Sequence, residues 1–533
     1  MWAGAWFHIK KREIEKGGNV MAKSMKKLLS LLLVVALSVT CFTACSSKKK
    51  QTYSLRDVYT DRDIELSYAF WEDTPIFEKI LADWNAKYPR ITIVGQEFDT
   101  GSFNESLKAL FAADEAPDIF GVIGSIDFAI ENGMLLDMTQ LWELDPESKN
   151  VLGGINEFKI GYFSTQYKWV TPIKFYPQAA FVNKYMVENY AQMSMPSTEW
   201  TWEEFAEFVT DISDKKYDGY PLIGLKSAGG CLPVTWYPIM ADGQCVGEFG
   251  WTEADGGSYN MQNWAVGLNI QRDWIAERIL VRDDESNFST YVETTYGEGV
   301  IPQDEGYVAV RGDTWYSFTR YFDNEQQPML GNNVIFVPYM QPHKSTVAKE
   351  DYTYIGIMDV GGINANQVEY AREAYEALKF FTWGTEGWEA KLKYYPDMVE
   401  DTTVEGASTA FRDGAKMASN FPITLDDGVW EKFLDIYTKG EDTYGRYDYF
   451  RDFFAKVKAS RWVCLGAPQI PGFGTWLDTY YFAEDFELTG TYTGIEDYVL
   501  NGGGDATGYY KQIEEKGNEF FQNKLNEIEV MLQ

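Results

Sequence analysis

Residues 64–122, IELSYAFWEDTPIFEKILADWNAKYPRITIVGQEFDTGSFNESLKALFAADEAPDIFGV, switch four times between a two-residue and a helical period. Ile64 to Phe70 alternates apolar with polar side chains and stops at Trp71-Glu72-Asp73, which predicts a strand. Pro75 then opens an amphipathic helix, because a proline in the first turn forfeits no hydrogen bond. Ile76, Phe77, Ile80, Leu81 and Trp84 fall on one face of it, and Tyr88-Pro89 stops it. Ile91 to Val94 is short and β-branched, a second strand. A helix follows from about Phe103 to Ala113, and a third strand over Ala116 to Val122. Strand, helix, strand, helix, strand with short links predicts an α/β unit with a largely parallel sheet.

Working outward, IENGMLLDMTQLW (130–142) adds a helix leading to a turn, and GYFSTQYKWVTPIKFYPQAAFVN (161–183) a proline-containing strand. In Pro196 to Phe205, Thr201 stands at an N-cap and Glu204 at the capping-box position, so local physics alone starts a helix there. Trp71 after the first strand, FEKILADWNAKYP with ITIV, FNESLKALFAADEAPDIFGV and then the 130–142 segment come in an order that resembles family 1 extracellular solute-binding proteins. These are the substrate-binding lipoproteins of ABC importers, typified by maltose-type sugar binders.

The resemblance implies an α/β, two-lobed periplasmic-binding-protein-like fold with three hinge crossings. Lobe 1 is expected over 63–172 plus about 353–400, and lobe 2 over 173–352 plus about 401–533. The first crossing falls in 161–183. Tyr354 to Asn366 resembles a glycine-containing strand that returns to the first lobe, and the third crossing is expected near Asp397 to Ala410. Residues 219–257 are expected as a strand and loops facing the cleft, with helices over about Asn260–Arg278, Tyr370–Phe381 and from after Asp505 to Leu532. The chain is longer than the usual member, so insertions are expected in 219–350 and 440–495.

The candidate ligand-binding residues follow from both readings. Trp71 ends a strand, and open α/β sheets bind ligands at the carboxyl ends of their strands. Asp118 in Ala-Pro-Asp either touches ligand or fixes a turn through its side chain. Ser125, after Gly124, offers a hydroxyl beyond the third strand. Tyr176 lies in the crossing, in reach of both lobes. Trp315 ends a strand whose tryptophan faces ligand in the family, and Trp236 is a further aromatic candidate. Gly361 and Gly362 matter as backbone that passes close to another surface.

Upstream, Met25 to Cys45 reads MKKLLSLLLVVALSVTCFTAC. Lys26 and Lys27 precede an apolar run, Leu28 to Val39, too short for the roughly 20 residues that span a bilayer. A basic flank, a short apolar core and small residues before a cleavage point mark a secretory signal peptide over 25–44. Cys45, after Thr43 and Ala44, resembles the lipobox cysteine of bacterial lipoproteins, although Phe42 stands where leucine is usual. This implies an acylated, palmitate-type Cys45 at the mature start and a polar tether over 45–62. Residues 1–24 show no helical or strand period, and translation is expected to begin at Met21 or Met25.

Composition narrows the chemistry. A formal net charge of −33 disfavours nucleic acid and anionic lipid surfaces as partners. Two histidines, His8 and His343, leave no basis for histidine-built metal sites or a Ser-His-Asp triad. Beyond Cys41 and Cys45 stand Cys231, Cys245 and Cys464; the first two suit a short disulfide loop and suit buried free thiols equally. Trp and Tyr, 18 and 35 in number, exceed what a core alone needs and favour stacking on sugar faces. The expected function is that of a lipid-anchored, extracytoplasmic solute-binding component of an ABC importer. It is expected to be a monomer that takes an oligosaccharide or other sugar between its lobes and serves ABC permease subunits. No catalytic residue, metal or cofactor is expected, and the lipid anchor is its only contact with the membrane. The alternatives are a secreted glycan-acting enzyme and a sugar-binding signalling lipoprotein without transport.

Overall fold

The computed structural model describes residues 53–71, 74–124, 126–153, 167–227, 231–243, 245, 247–252, 256–282, 288–318, 334–395, 420–438, 440–442, 444–464, 492 and 494–532. The signal segment, Cys45, Ser125 and the crossing expected at 397–410 lie outside them.

The elements run β1 (Ile64–Phe70), α1 (Thr74–Lys87), β2 (Ile91–Glu97), α2 (Phe103–Ala112), β3 (Ile119–Val122), α3 (Asp127–Glu131), α4 (Thr139–Leu144) and β4 (Thr171–Asn183). They continue with α5 (Trp202–Ser213), β5 (Lys216–Tyr217), β6 (Tyr220–Pro221), β7 (Ile223–Ser227), α6 (Pro233–Ala241), β8 (Trp251–Thr252), β9 (Ser258–Tyr259), α7 (Gln262–Ala276), β10 (Leu280–Arg282) and α8 (Phe288–Tyr296). Then follow β11 (Val308–Thr314), α9 (Trp315–Phe318), β12 (Phe336–Tyr339), β13 (Thr353–Ile363), α10 (Ala371–Phe381), α11 (Thr385–Tyr394), α12 (Asp427–Thr438) and α13 (Tyr447–Ala459). The last are β14 (Arg461–Cys464), α14 (Ile495–Gly502) and α15 (Tyr510–Leu532).

The opening stretch folds as its periodicity dictates. The predicted face of α1 is inside, with Ile76, Phe77, Ile80 and Trp84 buried and the Trp84 indole donating to the Ile91 carbonyl at 2.9 Å. β3 begins at Ile119 and not at Ala116, because Pro117 has no N–H to give a ladder and Asp118 commits its side chain to β1. Thr201 and Glu204 form the expected reciprocal capping box on α5. One expectation is corrected. Residues 233–241, taken for loop, are helix α6: Pro233 sits in its first turn, and Val234, Trp236, Tyr237, Ile239 and Met240 are buried around it. A helix covered on all sides has no amphipathic period to reveal it.

The main sheet has the order β10-β7-β11-β4-β13-β3-β1-β2, with β12 also on β4 and β14 on β13. β1, β2 and β3 are mutually parallel, and so are β7, β10 and β11. Between these two sets lie β4 and β13, antiparallel to each other and to β11, β12 and β3, while β14 runs parallel to the start of β13. The first part of β4, Thr171 to Pro177, pairs with β13; from Gln178 onward it pairs with β11 and β12. Apolar burial extends through both strand sets, and a second cluster gathers Trp251, Tyr259, Met261, Trp264, Ile513 and Phe521. Cys231, Cys245 and Cys464 are buried free thiols, which settles the disulfide question left open by their spacing. Among the described residues no helix is long and apolar enough to cross a membrane.

Candidate binding site at the strand crossing

The register fixes where a site can form. Val360 of β13 pairs with Val122, at the carboxyl end of β3, and with Pro172 of β4. At the other end, Thr314 closes β11 opposite Gln178 of β4, and Ser227 closes β7 opposite Gly312. Both sets of parallel strands therefore point their carboxyl ends at one short piece of chain, Lys174 to Gln178. Ligands of open α/β sheets sit beyond such ends.

Alternation then decides which side chains share a face. Lys174, Tyr176 and Gln178 project to one side of β4, and their antiparallel partners Asp359 and Ile357 project to the same side. Phe175 projects to the other, where its ring meets Trp462 and Phe421 edge-on at 5.0 and 6.5 Å. The backbone of Phe175 is also held by Asn420 and Phe421.

Lys174, Tyr176 and Gln178 are each held in place. The Lys174 ammonium donates to the Trp71 carbonyl at 2.7 Å and lies 4.9 Å from the centroid of the Trp71 ring. That ring rests on Gly121, where a β-carbon would stand 2.2 Å from it, and meets Phe103 edge-on at 4.7 Å. Tyr176 meets half-buried Tyr316 edge-on at 5.6 Å. Gln178 accepts from the Trp236 indole at 2.9 Å through Oε1, which orients the amide and leaves Nε2 without a partner among the described residues. Where β4 and β13 part, Gln341 staples them. Its Nε2 donates to the carbonyls of Gln178 and Ile355, and its Oε1 accepts from the Ile355 N–H.

Behind the site, a buried ion pair secures the end of β11. Arg311 contacts Asp313 at 2.9 Å and donates to Gln303 at 2.8 Å, while Asp313 accepts from the Thr314 N–H. Burial first, and then the Asp313 charge, push the neighbouring Cys231 thiol well up, so it stays protonated. Among the described residues no group of three or more His, Cys, Asp and Glu side chains is placed to hold a metal ion.

The structure thus brings Trp71, Tyr176 and, through Gln178, Trp236 to one place. Asp118 is elsewhere, at the amino end of β3, where it accepts from the Ser67 N–H and hydroxyl and from Gln367. Trp315 has 0% exposure and stacks on Phe453 at 5.4 Å, with Phe181, Phe421 and Phe454 around it and its N–H on the Tyr437 hydroxyl. That packing accounts for Trp315 without a ligand. Gly361 and Gly362 lie in the β13–β3 ladder, where β-carbons would stand 2.8 Å from Ile173 and 2.6 Å from Leu135. The sequence reading missed Lys174, Gln178, Asp359 and Tyr316. The signal was there: Lys174 and Gln178 are polar residues in phase on a strand that is otherwise apolar.

Comparison with known proteins bears on this geometry. A family model described as bacterial extracellular solute-binding protein matches residues 71–386, more than half of the chain. A search of curated proteins finds no match. Among solved structures, an ABC substrate-binding protein of Listeria monocytogenes in complex with cycloalternan superposes with a TM-score of 0.55 at 13% identity, over 86% of this chain and 99% of that one. The cyclic alpha-maltosyl-1,6-maltose binding protein of Arthrobacter globiformis gives 0.55 at 13% identity, over 86% and 100%. A sugar transporter of Rhizobium etli, in an open conformation, gives 0.57 at 12% identity, over 85% and 98%. At such identities the likeness is one of fold.

Proposed function

Because the chain belongs to the bacterial extracellular solute-binding protein family, we propose that it captures an uncharged sugar, an oligosaccharide in particular, at the strand crossing and delivers it to an ABC permease. The observation that carries this reading is the face made by Lys174, Tyr176 and Gln178 with Asp359 and Ile357, set between two groups of strand ends. It offers ammonium and amide donors, a carboxylate acceptor and aromatic rings. A sugar needs that mixture, since its hydroxyls both give and take hydrogen bonds while its C–H faces lie on rings. The solved relatives in complex with cycloalternan or named for cyclic maltosyl-maltose support the same class of ligand. Binding is favoured over turnover, because the carboxylate of this face stands opposite a lysine and glycoside hydrolysis takes two carboxylates.

In this reading β4 and β13 are two of the crossings between a lobe built on β1–β3 and a lobe built on β7, β10 and β11. The sugar bridges the lobes and shifts the population towards a closed form that the permease recognises. The protein acts as a monomer, held at the outer face of the cell membrane by an acylated Cys45. A thermal-shift screen of maltooligosaccharides, cycloalternan, xylooligosaccharides, amino acids and peptides tests the ligand class. A glycan present at 100 times its Kd is expected to stabilise the protein by about 2.7 kcal/mol and to compact it in X-ray scattering. Stabilisation by amino acids or peptides alone, or hydrolysis of a bound glycan, would overturn the proposal.

A further inference from the structure

Helix α15 is anchored at its two ends to different halves of the molecule. In its first half, the Glu514 carboxylate accepts from the Met261 N–H at 2.8 Å, and Asn518 exchanges hydrogen bonds of 2.8 and 3.3 Å with the backbone of Tyr259. Phe521 meets Trp251 edge-on at 4.5 Å. These partners lie around α7, which leads into β10, so this half of α15 belongs with the β7–β10–β11 strands. One turn beyond Phe521, Lys524 forms an ion pair with Glu131, the last residue of α3. α3 follows the carboxyl end of β3 and therefore stands on the site side of the other strand set. One turn further, Ile528 is 1% exposed and joins the main core, which runs through both strand sets, whereas Ile513 and Phe521 belong to the second cluster. Residues 513, 517, 521, 524 and 528 follow one stripe of the helix, roughly 22 Å from end to end at the usual rise per residue.

We propose that α15 is a strap across the site, with Lys524–Glu131 as its clasp, so that separating the two halves requires the clasp to open. The strap rests on the reading that the halves close on a ligand, and it adds a mechanism for how readily they open. The clasp is half-exposed, with Lys524 at 19% and Glu131 at 36%, so it is a weak and reversible catch. Burial of Lys524 opposes its charge, and the Glu131 carboxylate, with Glu527 3.5 Å away on the same helix, restores it, so the clasp is in force around neutral pH. Salt is expected to loosen it.

Charge reversal in the full chain tests the strap without a ligand. Glu131→Lys and Lys524→Glu are made singly and together and followed by hydrogen exchange and X-ray scattering. Each single reversal is expected to speed amide exchange about two- to fivefold in both 127–131 and 520–532 and to raise the radius of gyration, and the double swap is expected to reverse both changes. Exchange that rises only in the mutated segment, or an unchanged radius of gyration in both single variants, would overturn the strap. Glu131→Gln, which removes charge without reversing it, should show the same effects at smaller size; no change in it would count equally against the clasp. Titration of the same proteins with the glycan panel separates the two proposals, since loss of sugar binding in the unaltered protein would refute the site reading and leave the exchange result standing.

Discussion

Gln178 is the residue where chemistry and fold meet most closely. Its carbonyl and Oε1 are occupied, by Gln341 and Trp236, and its Nε2 is buried with nothing among the described residues to receive it. A buried amide donor left unpaired costs about 1–3 kcal/mol, so a ligand oxygen that takes it up gains that much in discrimination. Gln178→Met is therefore expected to weaken sugar binding about tenfold, read by calorimetric titration. Adding Trp236→Phe removes the indole N–H that the first change orphans, and should return stability while leaving affinity low. His343 gives a second prediction at this scale. It donates through Nε2 to the Thr353 carbonyl at 2.9 Å and stacks on Tyr352 at 4.0 Å. Burial, against the pull of backbone carbonyls, lowers its pKa from 6.5 to about 4. The folded protein keeps this ring neutral while the unfolded chain takes up a proton below pH 6.5. Its contribution is thus whole above pH 6.5 and is lost as pH falls through 4, about 3 kcal/mol in all. Urea melts at pH 7, 5.5 and 4.5 are expected to show a shallower acid loss in His343→Gln than in the unaltered protein.

Among the elements, β4 and β13 carry the most. Gln341 reaches both strands with three hydrogen bonds, and none of its partners has water as an easy substitute. Gln341→Leu should lower stability by about 3 kcal/mol in urea unfolding, because it strands three backbone groups at once. The elements differed in how plainly the chain announced them. α1, β1 and the capping box of α5 rest on local periodicity and local hydrogen bonds, so residues 64–94 and 201–205 were readable directly. α6 was not, since it is apolar on every side and carries two prolines. The site was half legible. Trp71 and Tyr176 follow from strand ends and crossings, which are sequence-local ideas. Lys174 opposite Asp359, and Tyr316 beside Tyr176, depend on pairing between segments far apart in the chain, and no window of sequence contains both partners. Trp315 shows the converse: the family resemblance suggested a ligand, while Phe421, Tyr437 and Phe453, which enclose it, come more than a hundred residues later.

For the whole molecule, the decisive arrangement is that one strand from late in the chain separates two from early in it. β3 and β4 are both complete by Asn183, yet neither meets the other; each pairs with β13, at Thr353 to Ile363. β14, later still, pairs with the start of β13, and Asn420-Phe421 close the other edge of β4. A chain cut after residue 352 would keep seven of the eight strands on the main sheet path and still lack its centre. Such a fragment is expected to show no cooperative transition on heating, where the chain through residue 532 shows one; a sharp melt in the fragment would mean that either half folds by itself. During synthesis the ribosome must therefore have released most of the polypeptide before β3 and β4 can find the strand that joins them. Until Thr353–Ile363 has emerged, the edges of β3 and β4 that it will join stay open to other partners.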